Sequence, residues 1–325
     1  MYKIKTVVSI AVTTALLSTS ALAKDIKVAT SAGLNSLQYN TTKVFTDTAN
    51  KEFTKAGLDY QMKFFGAAQL GKDKDVQQKL KLGTIDIALL SSTLATTVPE
   101  MALFELPFLV SDRTQVTQIE KNVVWPYIAP AAEKKGYTII SFWENGFRNI
   151  TNSTKPINTP ADLAGLKIRT PNSSWRVKMF KNWGANPTPM SFSDVFIGLQ
   201  TGVIDGQENP YTNIYSAKLN EVQQYLSVTN HVYTPAYLTA GNKSYKKLPD
   251  DVKAIIKQSS YIAQQWGYAE AAKLEDVLKD KLVAGGMKIN IADHQSFVDA
   301  SQPIYDDFIA NVPNGKVMLE KAQQK

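Results

Sequence analysis

The sequence predicts a two-lobed α/β protein, and three observations support that prediction. The chain has 325 residues, of which 44% are hydrophobic and 20% are charged, so it can bury a sizeable core and is long enough for roughly two domains. Apolar strand patterns alternate with helical patterns along the chain, which is typical of α/β proteins. The pattern Leu-x-x-Gly-x-Ile-Asp also occurs twice, at residues 80–86 and 199–205, which suggests two lobes that are built alike.

The N-terminus has the features of a secretory signal peptide. Lys3 and Lys5 precede an apolar run over residues 7–17, and Ala21-Leu22-Ala23 matches the small-x-small site that signal peptidase cleaves. We therefore expect residues 1–23 to be removed, Lys24 to begin the mature protein, and the protein to be exported to the periplasm. No later stretch of the sequence reaches the ~20 apolar residues that a membrane span requires.

Composition excludes several classes of function. The sequence has no cysteine, which rules out disulfides, thiolate metal sites and cysteine nucleophiles. The formal net charge is +7, and removal of the signal peptide with its two lysines lowers it by two. The remaining lysines are scattered along the chain, so the surface attracts small anions weakly but has no patch of the kind that binds nucleic acid.

The first part of the mature chain is predicted to alternate between strands and helices. Gly83 ends the second helix, because glycine readily takes the left-handed conformation that follows many helices. Asp73 lies in the first turn of that helix, where a negative charge interacts favourably with the helix dipole. The predicted strands cover residues 26–30, 60–65 and 84–90, and the predicted helices cover residues 36–55 and about 73–82.

The middle of the chain is less regular. The apolar segment at residues 103–110 is broken by Pro107, so we expect a buried loop or an edge strand there. Residues 112–135 are predicted to be helical, with a break at Pro126 and Pro130. Further elements are predicted as a strand at 138–143, two strands and a short helix between 148 and 170, helices at 174–183 and 192–201, and a strand at 203–209.

One long helical pattern dominates the last third of the chain. It begins at Pro249 and ends at Gly285, and a helix of that length spans ~50 Å at 1.5 Å per residue. Because that length exceeds one lobe, we expect the helix to lie across both. Before it the sequence predicts a helix at 213–221 and strands near 225–232 and 236–241, and after it a strand at 287–291 and a helix at 297–324.

Side chains that suit a small organic anion accumulate in the middle of the chain. Arg169 closes a strand that Pro171 ends, and a guanidinium on a strand end can hold a carboxylate through two parallel hydrogen bonds. Arg148 follows another strand, and Pro210 restricts Asn209 to an extended conformation. Such a group suits a carboxylate with an apolar or hydroxylated body. Aromatic walls are available from Trp175, Phe192 and Tyr211.

No enzyme motif accompanies these residues. The two histidines, His231 and His294, lack the spacing of metal ligands, and the sequence contains neither G-x-S-x-G nor H-E-x-x-H. No pair of acidic residues stands out as an acid and a base. We therefore expect a binding protein with no catalytic residue, no metal and no cofactor.

Several motifs, in order along the chain, resemble the DctP-like solute-binding proteins of TRAP (tripartite ATP-independent periplasmic) transporters. The resemblance covers essentially the whole mature chain. The matching stretches are NGFR at 145–148, KPI at 155–157, PADLAGLKIR at 160–169, GANPTPM at 184–190 and LQTGVIDGQENP at 199–210, with support from GAAQLG at 66–71 and LPF at 106–108.

The resemblance implies a two-lobed periplasmic binding-protein fold with hinge strands and a long helix across both lobes. Lobe I is expected at residues 24–146 plus about 235–270, and lobe II at residues 147–234 plus about 271–325. The lobes should close about hinge strands near Gly146 and Thr234. The implied partners are a small organic acid and the small and large integral membrane subunits of the transporter, and the receptor itself is expected to be a monomer.

The resemblance also implies a set of ligand contacts. In this family the arginine at the position of Arg169 would bind the substrate carboxylate, and Arg148, Asn209 and Phe192 match further ligand contacts. The complete set of predicted substrate-binding residues is Arg169, Arg148, Asn209, Phe192, Trp175, Ser91, Tyr39, Gln69 and Tyr211.

The identity of the ligand stays open at this point. Ser91 stands about where the sialic-acid branch of the family has an acidic residue, which disfavours sialic acid, whereas residues 143–147 resemble the C4-dicarboxylate branch. A C4-dicarboxylate or a related organic acid is therefore the first expectation, with sugar acids and aromatic acids as alternatives. A periplasmic enzyme on a similar fold, a binding protein of an ATP-driven importer and a chemoreceptor partner are the other functions that the sequence leaves open.

Overall fold

The computed structural model describes residues 23–324. The predicted signal peptide therefore falls, apart from Ala23, outside the described residues. Within them, no helix combines the length and the apolar character that crossing a bilayer requires.

The nine strands of residues 23–324 form one sheet. The spatial order is β2-β1-β3-β8-β4-β7-β5-β6, and β9 pairs with β8 beside this path. This spatial order differs from the order of the strands along the chain. Strands β8 and β4 lie in the middle of the sheet, between the strands at its two ends. The strands are β1 (Lys24–Thr30), β2 (Tyr60–Phe65), β3 (Ile87–Leu90), β4 (Tyr137–Asn152), β5 (Lys167–Thr170), β6 (Asn186–Pro189), β7 (Gly206–Asn209), β8 (Tyr225–Gly241) and β9 (Lys288–Ile291).

The helices pack on both faces of this sheet. The α-helices are α1 (Leu37–Lys55), α2 (Asp73–Leu82), α3 (Arg113–Ile119), α4 (Ala129–Lys134), α5 (Ser174–Asn182), α6 (Val195–Gln200), α7 (Tyr211–Ser216), α8 (Asn242–Tyr245), α9 (Asp250–Ala284), α10 (His294–Asp299), α11 (Gln302–Asn311) and α12 (Gly315–Gln323). Short 3₁₀ helices cover Ser92–Thr96, Pro99–Glu105, Pro160–Leu163, Phe192–Asp194 and Leu219–Glu221, and a π-helix covers Glu120–Ile128.

The two long strands β4 and β8 connect the lobes. They pair antiparallel from Tyr137 opposite Gly241 to Asn152 opposite Tyr225. One end of β8 pairs with β3, and the far end of β4 pairs with β7. The two-lobed fold is thus built on a pair of crossing strands, as the sequence predicts.

The predicted hinge positions are partners in these crossing strands. Gly146 in β4 lies opposite Thr234 in β8, next to a register shift between Glu144 and Gly146. Gly146 has a φ of 122°, a conformation that glycine adopts without strain. The extra residue at this shift is a β-bulge, which bends the strand locally.

The two strands predicted near residues 225–232 and 236–241 are in fact one strand, and that part of the sequence interpretation was wrong. Pro235 has no N–H to donate, which normally argues against a strand interior. In the structure Pro235 lies opposite Glu144, directly beside the bulge, where the ladder of hydrogen bonds is already interrupted. The strand therefore continues through the proline.

Helix α9 lies across both lobes, in agreement with the prediction. It has 35 residues and is therefore about 52 Å long. Val252 and Ile256, near its start, pack in one core with α1 and β1. Leu278 and Leu282, near its end, pack in another core with α6 and α7.

Several other predicted elements differ from the structure. The strand predicted at 138–143 and the first strand predicted after Arg148 are the single strand β4, and the helix predicted at 213–221 is divided at Lys218. The segment at 112–135 is not broken at Pro126; it widens into the π-helix there, which accommodates a residue without an N–H. The apolar segment at 103–110 was predicted as a buried loop or an edge strand. Its first residues, Leu103 and Phe104, instead belong to a buried 3₁₀ helix. The predicted C-terminal helix is in fact three helices. Pro303 lies in the first turn of α11, and Asn314, with a φ of 58°, precedes α12.

The C-terminal helices pack against lobe I elements. Ile304 and Phe308 of α11 and Met318 and Leu319 of α12 share a core with Val116 of α3. This core also includes residues of β3 and of the 3₁₀ helices that follow it. The lobe boundaries themselves stay a prediction.

Candidate ligand-binding site

A small polar cavity lies between the two lobes, beside the crossing strands. Its free volume is about 70 Å³, room for several waters at roughly 10–15 Å³ each and a size that suits a short organic acid. Hydroxyl, amide and guanidinium groups share its wall with apolar side chains such as Leu89, Leu90 and Pro171. The polar and aromatic side chains that line it are Thr30, Ser31, Gln38, Asp73, Ser91, Ser92, Thr93, Asn145, Arg148, Arg169, Phe192, Asn209 and Asn213.

Arg169 reaches this cavity from β5, which is held between β6 and β7 in parallel pairing. The side chain is 3% exposed, and its Nε and Nη2 both donate to the carbonyl oxygen of Met190, at 2.9 and 2.6 Å. The guanidinium carbon lies 5.8 Å from the centre of the Phe192 ring. Within the described residues Nη1 has no hydrogen-bond acceptor, so the edge that carries Nη1 is available to a ligand.

The charge of Arg169 is poorly compensated. Burial lowers the pKa of its guanidinium to about 9, with Glu208 acting in the opposite direction and Arg148 adding to the decrease. The group is therefore protonated at neutral pH, but it holds its charge against both desolvation and a neighbouring cation. An anion bound beside it would relieve both effects.

Arg148 lines the same cavity in a different electrostatic state. Its Nε donates to a carboxylate oxygen of Glu208, and its Nη2 donates to the other carboxylate oxygen at 2.9 Å and to the Glu208 carbonyl at 2.6 Å. The same Nη2 donates to Asn209 Oδ1 at 3.0 Å. Arg148 thus has a carboxylate counter-ion within the protein, whereas Arg169 is bonded to a neutral carbonyl.

Glu208 is the centre of a buried network of charges. It also accepts from Arg176 Nη1 at 2.6 Å and lies 3.2 Å from His231 Nε2, and Arg176 in turn donates through Nε to Glu105 at 3.2 Å. Burial alone would raise the pKa of Glu208, but Arg148 and Arg176 hold it well below its ordinary value. Glu208 is therefore ionised, and it fixes the orientation of Arg148.

His231 is neutral in this network. Burial lowers its pKa to about 4, against the opposing effect of Glu208. Its Nδ1 lies 2.8 Å from the hydroxyl of Thr229, so the hydroxyl can donate to Nδ1 while the protonated Nε2 donates to Glu208. His231 thereby satisfies a lone pair of Glu208 without adding a charge.

Asp73 brings an acidic group to the cavity from the first turn of α2. The hydroxyl of Ser31 donates to its carboxylate, and desolvation raises the pKa of Asp73, with Ser31 and Arg169 acting against the increase. The sequence shows this residue only as a favourable first-turn acid. Its place beside Arg169 depends on how the two lobes meet, which no local pattern reveals.

Five of the nine predicted binding residues line the cavity. Besides Arg148 and Arg169, they are Phe192, Asn209 and Ser91. Ser91 donates its hydroxyl to the carbonyl of Pro235 at 2.7 Å and accepts from the amide of Asn145 at 3.3 Å. Ser91 directly follows the end of β3, and Pro235 lies in β8 beside the hinge. The hydrogen bond between them therefore connects the cavity wall to the crossing strands.

The other four predicted residues lie outside this cavity. Trp175 is buried and packs edge-on against Phe308 of α11, with ring centres 5.9 Å apart. Tyr211 is buried among the residues that cover the second half of α9. Trp175 is directed into a core by its helix, whereas Tyr211 also lines a recess beside Asn145 and Gly146. A ligand contact of either residue stays a prediction.

Tyr39 and Gln69 belong to lobe I surfaces away from the cavity wall. The Tyr39 ring packs against Phe64 with ring centres 4.9 Å apart. Gln69 is exposed in the turn before α2. A contact of either residue with a ligand stays a prediction that the cavity lining does not support.

Three amide side chains of the cavity were not predicted as binding residues. Asn213 donates to Asn145 at 3.1 Å and to Asn209 at 3.2 Å, so three asparagines form a connected group on one wall. Gln38 lines the cavity from the first turn of α1. Asn145 lies within the NGFR motif and could have been selected from it, whereas Gln38 carries no sequence signal.

Comparison with known proteins places these features in a family. The chain matches the model of the DctP family, described as bacterial extracellular solute-binding protein, family 7, over residues 28–311. The 2,3-diketo-L-gulonate-binding periplasmic protein YiaO of Escherichia coli (strain K12) is 33% identical to it over 314 residues, which are 95% of each chain.

Solved structures agree with this match. A TRAP periplasmic solute binding protein from Polaromonas sp. JS666, bound to D-erythronate, has a TM-score of 0.86 and 30% identity over 92% of this chain and 98% of its own. One from Sulfurospirillum deleyianum DSM 6946, with bound succinate, has a TM-score of 0.86 and 30% identity over 93% of this chain and 99% of its own. The chain therefore belongs to the DctP family of TRAP-type periplasmic solute-binding proteins, which are ligand receptors and not enzymes.

Proposed function

We propose that this protein is the extracytoplasmic receptor of a TRAP transporter and captures a short hydroxylated carboxylate, of the sugar-acid class, between its two lobes. It acts in the periplasm as a monomer and delivers the ligand to the integral membrane subunits for uptake driven by an ion gradient. The observation that carries the proposal is Arg169, a buried cation at the cavity wall whose acceptor among the described residues is an uncharged carbonyl.

The carboxylate follows from the electrostatics of Arg169. Glu208 and Asp73 act on Arg169 through space, but no carboxylate among the described residues is hydrogen-bonded to it, and such a buried charge is costly. A carboxylate at the free edge of the guanidinium supplies both the opposite charge and hydrogen-bond acceptors. A charge-assisted hydrogen bond of this kind contributes about 1.5–3 kcal/mol net. The Phe192 ring on the face of the guanidinium limits the approach of the ligand to the edge.

The hydroxylated body follows from the rest of the lining. Serine, threonine, asparagine and glutamine side chains can each exchange hydrogen bonds with hydroxyl groups. Asp73 accepts from hydroxyl groups but opposes a second carboxylate, and the second guanidinium, Arg148, is already paired with Glu208. The relatives named for 2,3-diketo-L-gulonate and bound to D-erythronate have ligands of this chemical type.

A C4-dicarboxylate is the second candidate. Arg148 and Arg169 line one cavity, and the similar protein from Sulfurospirillum deleyianum holds succinate. A thermal-shift screen separates the two candidates, because a ligand that binds only the folded protein raises its melting temperature. We expect sugar acids such as D-erythronate to raise it more than succinate does at equal concentration.

Replacement of Arg169 tests the carboxylate site. Arg169→Ala removes the charge-assisted hydrogen bonds, so the affinity for the carboxylate ligand found in the screen should fall about 10- to 150-fold, as measured by titration calorimetry. Arg169→Lys should recover only part of the loss, because an ammonium group lacks the planar fork.

Lys167→Ala is the matched control. Lys167 lies two residues earlier on β5, but its side chain is about half exposed and pairs with Asp205, so its removal should leave the affinity unchanged. Circular dichroism melting curves show whether each variant is folded. A folded Arg169→Ala variant with wild-type affinity would refute the proposed site.

A further inference from the structure

The cavity has two distinct ends. At one end Arg169, Asp73 and Phe192 also line a small adjoining recess that contains Lys72; we call this the mouth end. At the other end Asn145 also lines a recess next to the hinge glycine Gly146; we call this the hinge end. A ligand whose carboxylate lies at Arg169 therefore extends its other end towards the hinge.

Gln38 belongs to the hinge end. The residue before it, Leu37, lines the same hinge recess as Asn145, and Gln38 itself lines the central cavity but not the recess at the mouth end. It is the second residue of α1, a helix of 19 residues whose N-terminus is capped by Ser36. Its position is therefore fixed by a regular, well-anchored element.

The side-chain amide of Gln38 opens into the cavity and has no partner among the described residues. The residue is 9% exposed, and within residues 23–324 its amide nitrogen and oxygen make no hydrogen bond. Its neighbours Thr41 and Thr42 instead bond through their hydroxyls to main-chain carbonyls of α1. An amide that faces the cavity without a protein partner is free to exchange hydrogen bonds with a ligand hydroxyl in place of water.

We propose that Gln38 recognises the hydroxyl groups at the end of the ligand remote from the carboxylate, and so selects hydroxylated acids over acids with a plain alkyl end. An amide presents one acceptor and two donors, so it can accept from one hydroxyl and donate to the next. A methylene group in the same place leaves both ends of the amide unpaired, which is the condition under which a site discriminates strongly. The inference rests on the proposed function, because the carboxylate at Arg169 determines which end of the ligand reaches Gln38.

The test compares two four-carbon acids that differ in the hydroxyls at issue. D-erythronate carries hydroxyls on carbons 2, 3 and 4, whereas 2-hydroxybutyrate carries only the first. Titration calorimetry on the wild-type protein should show tighter binding of D-erythronate. In Gln38→Leu the ratio of the two affinities should fall about tenfold, the equivalent of one lost hydrogen bond at about 1.4 kcal/mol, with 2-hydroxybutyrate little affected.

Gln78→Leu is the matched control, since Gln78 is an exposed glutamine of α2 and its change should leave both affinities as they are. The apo form of Gln38→Leu should melt at the wild-type temperature, because its side chain loses no partner within the protein.

The possible results separate the inference from the proposed function. If Gln38→Leu keeps the wild-type preference, or weakens both acids equally, Gln38 does not read the hydroxyls and the inference fails, while the carboxylate site at Arg169 stands. If the wild-type protein itself does not prefer D-erythronate, the sugar-acid class is wrong and the inference falls with it. A loss of preference confined to Gln38→Leu supports the inference.

Discussion

Two buried guanidiniums face one cavity in unequal states. Arg148 is held by the carboxylate of Glu208, and Glu208 is shared with Arg176. Arg169 receives only the carbonyl of Met190 from the described residues. Glu208 thus fixes the orientation of Arg148, while Arg169 has no carboxylate of the described residues in hydrogen-bond contact, and we propose that it is the group that attracts the ligand. The difference between Arg148 and Arg169 therefore depends on the buried ion pairs of Glu208 behind the cavity as well as on the residues of the cavity wall.

That network makes the stability of the protein depend on pH. The pKa of His231 is about 4 in the folded protein and 6.5 when unperturbed, so between these values the unfolded chain binds more protons than the folded one. The free energy of unfolding should therefore fall as the pH decreases from 6.5 to 4, by up to a few kcal/mol from this residue.

The variant His231→Gln isolates this effect, because glutamine can still donate to Glu208 but does not titrate. Urea unfolding at pH 7, 5 and 4 should show a smaller decrease in the variant than in the wild type. Carboxylates such as Glu208, whose pKa is lowered, contribute to both proteins and only below about pH 4.5. Equal decreases over pH 6.5 to 4 would show that His231 is already protonated or exposed.

The sequence predicted some site residues and not others for a physical reason. Arg169 could be found because a strand end and a following proline mark it locally. Asp73 and Gln38 could not, since each is brought to the cavity by a helix whose local pattern is the same whether or not a cavity lies beside it. Trp175 was predicted from its proximity in sequence, but its helix directs the ring against Phe308. Tyr211 lines the recess beside Gly146, and its contact with a ligand stays a prediction.

At the scale of elements, strand β7 joins the cavity to the crossing strands. It is four residues long and carries both Glu208 and Asn209, and it pairs with the far end of β4. Gly206 begins it, opposite Asn152. A Cβ on Gly206 would lie 2.4 Å from the Thr151 carbonyl oxygen and 2.9 Å from the Asn152 Cβ, so only glycine allows this close approach.

Gly206→Ala should therefore displace β7 from β4. We expect a loss of about 1–3 kcal/mol in the free energy of unfolding, as for overpacked cores, and weaker ligand binding because Glu208 and Asn209 move with the strand. Gly33→Ala is the control, since a Cβ there meets nothing within 4 Å and should change stability by less than about 1 kcal/mol. Wild-type stability in Gly206→Ala, measured by urea unfolding, would show that β7 has room to adjust.

The presence of a strand or helix was easier to predict than whether two neighbouring strands form one continuous strand. The strands and helices with regular apolar patterns, including α9, were predicted with bounds close to those observed. The merger of two predicted strands into β8 was missed, because Pro235 interrupts the pattern and only the bulge in its partner strand makes the interruption harmless. The sequence pattern of one strand does not show whether a bulge in the partner strand makes room for a proline.

At the scale of the whole molecule, the two lobes meet at the mouth end through an ion pair. Lys72, which precedes α2, lies 2.6 Å from Asp194, which precedes α6. Both side chains are close to half exposed, so the pair should contribute less than about 1 kcal/mol to closure and should be screened by salt. The ligand, which contacts both lobes, should contribute more to closure than this ion pair.

This balance predicts two effects in solution. Small-angle X-ray scattering should show a smaller radius of gyration when D-erythronate is added to the wild type, and no such change for Arg169→Ala. Lys72→Ala should still close on binding and should lose less than about fivefold in affinity, with the difference disappearing in high salt. Closure of Arg169→Ala on ligand addition would show that other contacts drive the motion.

We also propose, from the packing of α11 and α12 with α3, that the last helices move with lobe I and not with lobe II as the sequence suggests. Hydrogen exchange during opening can test this assignment. The sequence places residues 271–325 in lobe II, and no local pattern in that stretch marks a return to lobe I.

The most direct test of the account is a crystal structure of the protein with D-erythronate bound. We expect a carboxylate oxygen of the ligand about 2.7–2.9 Å from Nη1 of Arg169, with the ligand enclosed between the lobes. A ligand whose carboxylate lies away from Arg169, or an Arg169 that still contacts only the Met190 carbonyl, would contradict it.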